Sequence, residues 1–196
     1  MRKSKIKIWE LSLLLALCIS LCQASVEAGR QSALSEKLIR LHVIAASDSE
    51  EAQALKLKVR DAVTGELAAL LAQADSGAEA EALIDRSSPK LLSAARKAAG
   101  GESVELVFGR ESYPFRRAEG YSLPAGEYSS LRIIIGEGAG HNWWGVIFPQ
   151  LDAAGGYAEA AKLLSEEELS IIYESDSYEL RFRFLELLQQ LRAWLR

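Results

Sequence analysis

Beyond residue 24 this chain has no cysteine; its two, Cys18 and Cys22, both fall inside an amino-terminal apolar run. The body therefore forms no disulfide, offers no thiol nucleophile and supplies no thiolate to a metal. Histidine is nearly as scarce, with only His42 and His141. Neither sits in a His-x-Glu or His-Glu-x-x-His spacing, so the common metal-hydrolase patterns are missing. No Gly-x-Ser-x-Gly nucleophile elbow occurs either. A basic excess is also lacking, since the formal charge is −4. Setting aside Arg2, Lys3, Lys5, Lys7 and Glu10 leaves 19 basic and 26 acidic residues, a balance of −7 for the body. A face of this sign suits neither nucleic acid nor an anionic membrane.

What is present fits one globular domain with flanking segments. The 196 residues are 49% apolar and 26% charged, which excludes a disordered chain. Lysines and arginine crowd residues 2–7, and an uncharged, leucine-rich run follows from Leu11 to Cys22. At about 1.5 Å per residue such a run falls short of the ~30 Å hydrocarbon core. Cys22-Gln23-Ala24 then resembles a small-residue cleavage site. Residues 1–24 are read as a secretory signal, with an uncleaved anchor as the alternative; leucine before both cysteines argues against a lipoprotein signal. Each version places the body outside the cytoplasm of the producing cell.

The body is expected to begin with a linker or short helix over 25–37, then a domain over 38–152 and an extension over 153–196. Leu38 to Ala46 reads as a buried strand. Ser47 with Glu50 and Asp48 with Glu51 offer two overlapping capping boxes for a helix running from about Glu50 to Ala74. Leu55, Val59, Ala62, Val63, Leu67 and Leu70 carry its apolar face, with Lys56, Arg60 and Asp61 turned elsewhere. A second helix is expected from about Ala78 to Ala99, broken or restarted at Pro89 and ended by Gly100-Gly101. Strands are expected at Ser103–Gly109, Tyr128–Gly136 and His141–Pro149, with shorter ones around Tyr113-Pro-Phe115 and Leu123-Pro-Ala-Gly126. Strand, helix, helix and a run of strands predict an α+β, two-layer fold: helices on one face of a largely antiparallel sheet. Leu180, Phe184, Leu187, Leu188, Leu191 and Trp194 mark a final amphipathic helix, for packing on the domain, a partner helix or a membrane surface.

Chemistry-bearing residues are few. His42 lies between Leu41 and Val43, so it points to the opposite face of its strand and is expected to find a local hydrogen-bond partner. His42, Asp48 and Ser47 can be drawn as a triad, but Ser47 reads as a helix cap. Gly136-Glu-Gly-Ala-Gly140 lacks the lysine and following helix of a phosphate loop; it reads as a wide strand-to-strand loop in which glycine supplies positive φ. After it come His141, Asn142, Trp143 and Trp144. On a strand the two indoles face opposite ways, one for the core and one near the surface, where indole is a favoured interface anchor. Without metal spacing or an acid–base pair, this cluster suits recognition better than turnover.

These segments carry a family resemblance. Leu38-Ile-Arg-Leu-His-Val-Ile-Ala46, Ser47-Asp-Ser49 and Gln53-Ala-Leu-Lys-Leu-Lys-Val-Arg-Asp-Ala-Val63 resemble the opening of stage II sporulation protein R. Leu123-Pro-Ala-Gly-Glu-Tyr128, Leu131-Arg-Ile-Ile-Ile-Gly136 and Gly138-Ala-Gly-His-Asn-Trp-Trp144 with Phe148-Pro149 resemble its second half. The resemblance covers about Leu38 to Leu151. It implies a signal made in the forespore and exported into the space between forespore and mother cell. There it would activate a membrane-embedded aspartic-type protease that processes a mother-cell sigma-factor precursor. Members commonly carry cysteines where Gly145 and Asp152 stand here, so any bridge they form is dispensed with in this chain.

The expectation is thus an exported protein ligand rather than an enzyme, with a membrane-embedded sporulation protease as partner and with no cofactor, metal or nucleic acid. Partner contacts are assigned to His141, Asn142, Trp143, Trp144, His42 and Asp48. Two rivals stand beside it: an extracytoplasmic hydrolase of cell wall or peptide using His42, Asp48 or His141, and a structural or adhesive domain docked on membrane by its last helix.

Overall fold

Ile39, Leu41 and Val43 alternate with Arg40 and His42 along β1 (Ile39–Ile44), and the period of two sends the two sets to opposite faces. The computed structural model, which describes residues 7–118, 120–151 and 155–173, builds a four-stranded sheet around that strand. Its order is β2-β5-β1-β6, with β2 (Val104–Tyr113), β5 (Gly126–Ile135) and β6 (Asn142–Phe148). β1 runs parallel to β5, while β2–β5 and β1–β6 are antiparallel. Two short strands, β3 (Arg116–Ala118) and β4 (Tyr121–Leu123), pair as a separate hairpin. This is the expected α+β architecture with a mostly antiparallel sheet.

One face is covered by α2 (Glu50–Leu71) and α3 (Gly77–Ala99). Val59, Val63, Leu67 and Leu71 recur every four residues on α2 and pack with Ile84 and Leu91 of α3 onto Leu41, Val43, Leu131 and Ile133. Full burial of each such side chain contributes about 1.5–3 kcal/mol, so this layer dominates the stability.

Three local expectations need correction. The cap of α2 is Ser49, whose side chain accepts from the Ala52 N–H, rather than Ser47 or Asp48; Asp48 is instead occupied by His141. Lys56 does not turn outward but is buried, its ammonium donating to the Gln53 side chain and the His141 carbonyl. Pro89 neither breaks nor restarts α3, which is continuous through it. Ile84 and Leu91 hold the helix to the core on either side, and this packing outweighs the ~3 kcal/mol that an interior proline costs.

α1 (Ile8–Lys37) is a single helix through the apolar run, the Cys22-Gln23-Ala24 site and residues 25–37. Its 30 residues are long and apolar enough to cross a membrane, and leucines such as Leu13 and Leu14 stand exposed. It fits a signal peptide or an anchor. Its last turns do not behave as a free linker, because Leu34 is fully buried with Leu38 in a second core. That core lies on the sheet's other face. It includes Tyr113, Leu123, Tyr128 and Val146, closed by α4 (Gly156–Leu163) and α5 (Glu166–Tyr173) from the expected extension. Lys37 donates to Glu168 at 2.8 Å and joins the end of α1 to α5. The helix expected over 178–194 lies outside the described residues.

Candidate functional site

The face opposite α2 and α3 carries a polar and aromatic row that crosses all four strands. The register aligns Arg40 with Ser130 on β5, and His42 with Arg132 on β5 and Trp144 on β6. Glu111 and Tyr113 enter from β2. His42 Nδ1 lies 3.0 Å from Glu111 Oε1, and Ser130 Oγ donates to Glu111 Oε2 at 2.7 Å. The Tyr113 hydroxyl meets Ser130 Oγ at 2.6 Å.

Burial alone would raise the Glu111 carboxyl, but the hydrogen bonds from Ser130 and His42 outweigh it and hold the group below its ordinary range. An ionised carboxylate only accepts, so His42 donates through Nδ1 and Ser130 through its hydroxyl. The Tyr113 hydroxyl also donates to Glu111 Oε2 at 3.1 Å, so Tyr113, Ser130 and His42 converge on one carboxylate. His42 Nε2 is buried without a hydrogen-bond partner. The triad of His42, Asp48 and Ser47 is not assembled, because His42 is bonded to Glu111 and Asp48 to His141.

The indole of Trp144 stacks on His42, with ring centroids 3.6 Å apart and planes inclined by 21°. Tyr113 meets the same indole edge-on at 5.1 Å. Trp143 takes the other face, as alternation requires, where it packs against the helix-side core under Arg60, whose guanidinium carbon is 5.0 Å from the ring centroid. Gly145 leaves room for that indole. A Cβ there would stand 2.3 Å from the Trp143 ring.

Arg40 is the largest of the fully buried side chains. Its guanidinium carbon lies 4.2 Å from the Tyr113 ring centroid and 5.3 Å from that of Tyr128, and Nε donates to the Gly145 carbonyl at 3.2 Å. Burial pushes its pKa down, opposed by Tyr128 and Tyr113. Burial likewise pushes the Tyr113 and Tyr128 hydroxyls up, so both stay neutral. Beside Arg40 opens a cavity of about 270 Å³, lined also by Arg116, Arg117, Tyr121, Asn142 and Trp144.

Immediately before β6, Asp48 Oδ1 accepts from the His141 backbone N–H at 2.6 Å and lies 2.5 Å from its Nδ1. The bonds from the His141 side chain and backbone hold this exposed carboxyl below its ordinary range. Between β5 and β6 the glycine loop folds back over β1: Gly136 and Gly138 adopt φ of 59° and 65°, and Gly140 N–H donates to the Ala45 carbonyl at 2.9 Å. This is the expected strand-to-strand loop.

The six residues singled out in the sequence thus fall into three places. His42 and Trp144 stack on the polar face, where Asn142 lines the cavity, Trp143 lies on the helix face, and His141 joins Asp48 at the exposed loop. Sequence reasoning missed Glu111, Tyr113, Ser130, Arg40 and Arg116. Their one signal was parity: Arg40 shares a strand face with His42, and Glu111 with Tyr113. Among the described residues no group of three or more His, Cys, Asp or Glu side chains is placed to hold a metal. The ring Nδ1 of each histidine is engaged by a carboxylate, Glu111 for His42 and Asp48 for His141. The arrangement offers aromatic surface, fixed donors and positive charge.

Residues 35–155 match the family Stage II sporulation protein R (spore_II_R). Stage II sporulation protein R of Bacillus subtilis (strain 168) is 34% identical over 144 residues, covering 70% of this chain. The match spans 63% of that protein's own length. No solved structure matches the chain.

Proposed function

The chain belongs to the stage II sporulation protein R family, and from that premise we propose that it is an exported sporulation signal that acts by binding a partner. The partner is a membrane-embedded aspartic-type protease, reached in the space between forespore and mother cell. Binding shifts that protease toward its active state and so triggers processing of a mother-cell sigma-factor precursor. The protein itself cleaves nothing. The observation that carries this reading is the row from Glu111 to Trp144, in which His42 is spent on a carboxylate and a stack rather than on a nucleophile. An apolar amino-terminal helix that fits a signal or anchor supports the location. Large, rigid rings near a sheet edge suit recognition.

One observation favours the rival hydrolase: Asp48 orients the exposed His141 as an acid orients a catalytic base. His141→Ala separates the two. A hydrolase loses its turnover by about 10³-fold or more, whereas a ligand loses affinity in a graded way. The defining experiment is co-expression of the exported chain with the candidate protease and the sigma-factor precursor. Processing that needs this chain, and that ceases when its export is blocked, supports the proposal; processing at equal rate without the chain refutes it.

A further inference from the structure

Positive charge gathers at the cavity beside β6. Arg40 and Arg116 both line it, and neither has a carboxylate partner among the described residues. Arg40 is only 2% exposed. Of its donors, Nε–H alone has an acceptor there, the Gly145 carbonyl, and Nη1 is buried with no partner. Arg116 reaches over the Trp144 ring, its guanidinium carbon 5.8 Å from the centroid. The tyrosine faces around Arg40 offset part of the cost of burial. They accept no hydrogen bond in the plane of the guanidinium, where a carboxylate would accept two in parallel. A buried cation is costly unless a counter-charge meets it, and Arg40, with none among the described residues, borders a space large enough for a carboxylate side chain.

The surrounding geometry selects the form of the ligand. β6 is an edge strand of the sheet, and Asn142 to Gly145 of that strand form one wall of the cavity. An extended segment lying beside an edge strand offers alternate side chains to one face. The Trp144 indole and Tyr121 supply apolar walls for the stem of such a side chain.

We infer that this cavity receives a glutamate or aspartate side chain from an extended segment of the partner protein, with Arg40 and Arg116 binding its carboxylate. The inference rests on the binding role proposed above and identifies the chemistry that the partner must present.

The test uses the full chain in detergent, followed by NMR at the Trp144 indole N–H. The probes are acetyl-Ala-Ala-Glu-Ala-Ala-amide, its glutamine counterpart and inorganic phosphate. The glutamate peptide should shift that resonance saturably, and the glutamine peptide should bind about tenfold more weakly or worse. Arg116→Ala, at an exposed position that supports no core packing, should weaken the glutamate peptide by about tenfold, and Arg116→Lys should restore part of the loss. Equal binding of the two peptides, saturation by phosphate alone, or indifference to Arg116→Ala would overturn the inference. Precursor processing measured on the same samples separates the two proposals. Processing by wild type without carboxylate-dependent binding sinks the cavity assignment alone, whereas carboxylate-dependent binding without processing sinks the protease reading alone.

Discussion

His42 and Trp144 occupy partnered positions on β1 and β6, and their rings lie face to face 3.6 Å apart. The contact joins the central strand to the sheet edge at the point where the polar row meets the cavity. A side chain at that edge therefore carries stability as well as surface. Trp144→Ala should lower unfolding stability by about 2–4 kcal/mol, with Trp144→Phe recovering part of it. Urea denaturation measures this directly. A loss below about 0.5 kcal/mol would mean that the stack contributes nothing.

Glu111 sets the acid sensitivity of the same row. Its folded pKa lies below the ordinary value of 4.5, so the unfolded chain takes up this proton first as pH falls. The stabilisation is complete above that ordinary value and drains away as pH drops through the folded one. Glu111→Gln should cost about 1–3 kcal/mol near neutrality. The gap between wild type and variant should narrow as pH falls from the ordinary value of 4.5 through the lower folded one. Urea midpoints across that range provide the check, and a gap that does not change with pH contradicts the assignment.

Gly140 is where the glycine loop passes closest to β1's exit. A Cβ at this position would stand 2.2 Å from the Ser47 carbonyl oxygen, and main chain cannot swing aside as a side-chain tip can. Gly140→Ala should destabilise by about 1–3 kcal/mol and speed hydrogen exchange at residue 140, whose N–H is bonded to the Ala45 carbonyl. Gly109→Ala is the control, since nothing lies within 4 Å of its added carbon. It should stay within about 0.5 kcal/mol of wild type.

The apolar half of α1 should govern location and leave the fold alone. Leu14 and Leu15 are 60% and 61% exposed, so they support no packing in the body. Replacing both by glutamate should retain the chain in the cytoplasm, as read by fractionation. The urea midpoint of the body should be unchanged. Unaltered export would contradict the role given to this helix.

Periodicity made the layers legible before any geometry was known. Val59, Val63 and Leu67 at four-residue spacing, and the isoleucine-rich Leu131-Arg-Ile-Ile-Ile135, specify a helix on a buried strand. The placement of Trp143 and Trp144 on opposite faces followed from strand alternation alone. Pro89 misled because local propensity competes with tertiary packing, and Ile84 and Leu91 settle that contest in favour of one helix. Ser49 was passed over as the cap because Ser47 and Asp48 also present capping oxygens with an acidic residue three positions on. Only the loop bond from Asp48 to His141 distinguishes them. The polar row was hidden for a different reason. Glu111 and His42 are 69 residues apart, and they meet because β2 and β1 flank β5. Parity reveals which side chains share a face of one strand, but strand order is a property of the whole chain.

The central claim is recognition without turnover, and reconstitution tests it most directly. Purified chain would be titrated into proteoliposomes holding the candidate protease and the sigma-factor precursor, with cleavage of the precursor as the readout. The account predicts cleavage that saturates once the chain matches the protease in amount, and none when the protease is left out. Cleavage in liposomes lacking the protease, rising in step with added chain, would contradict it.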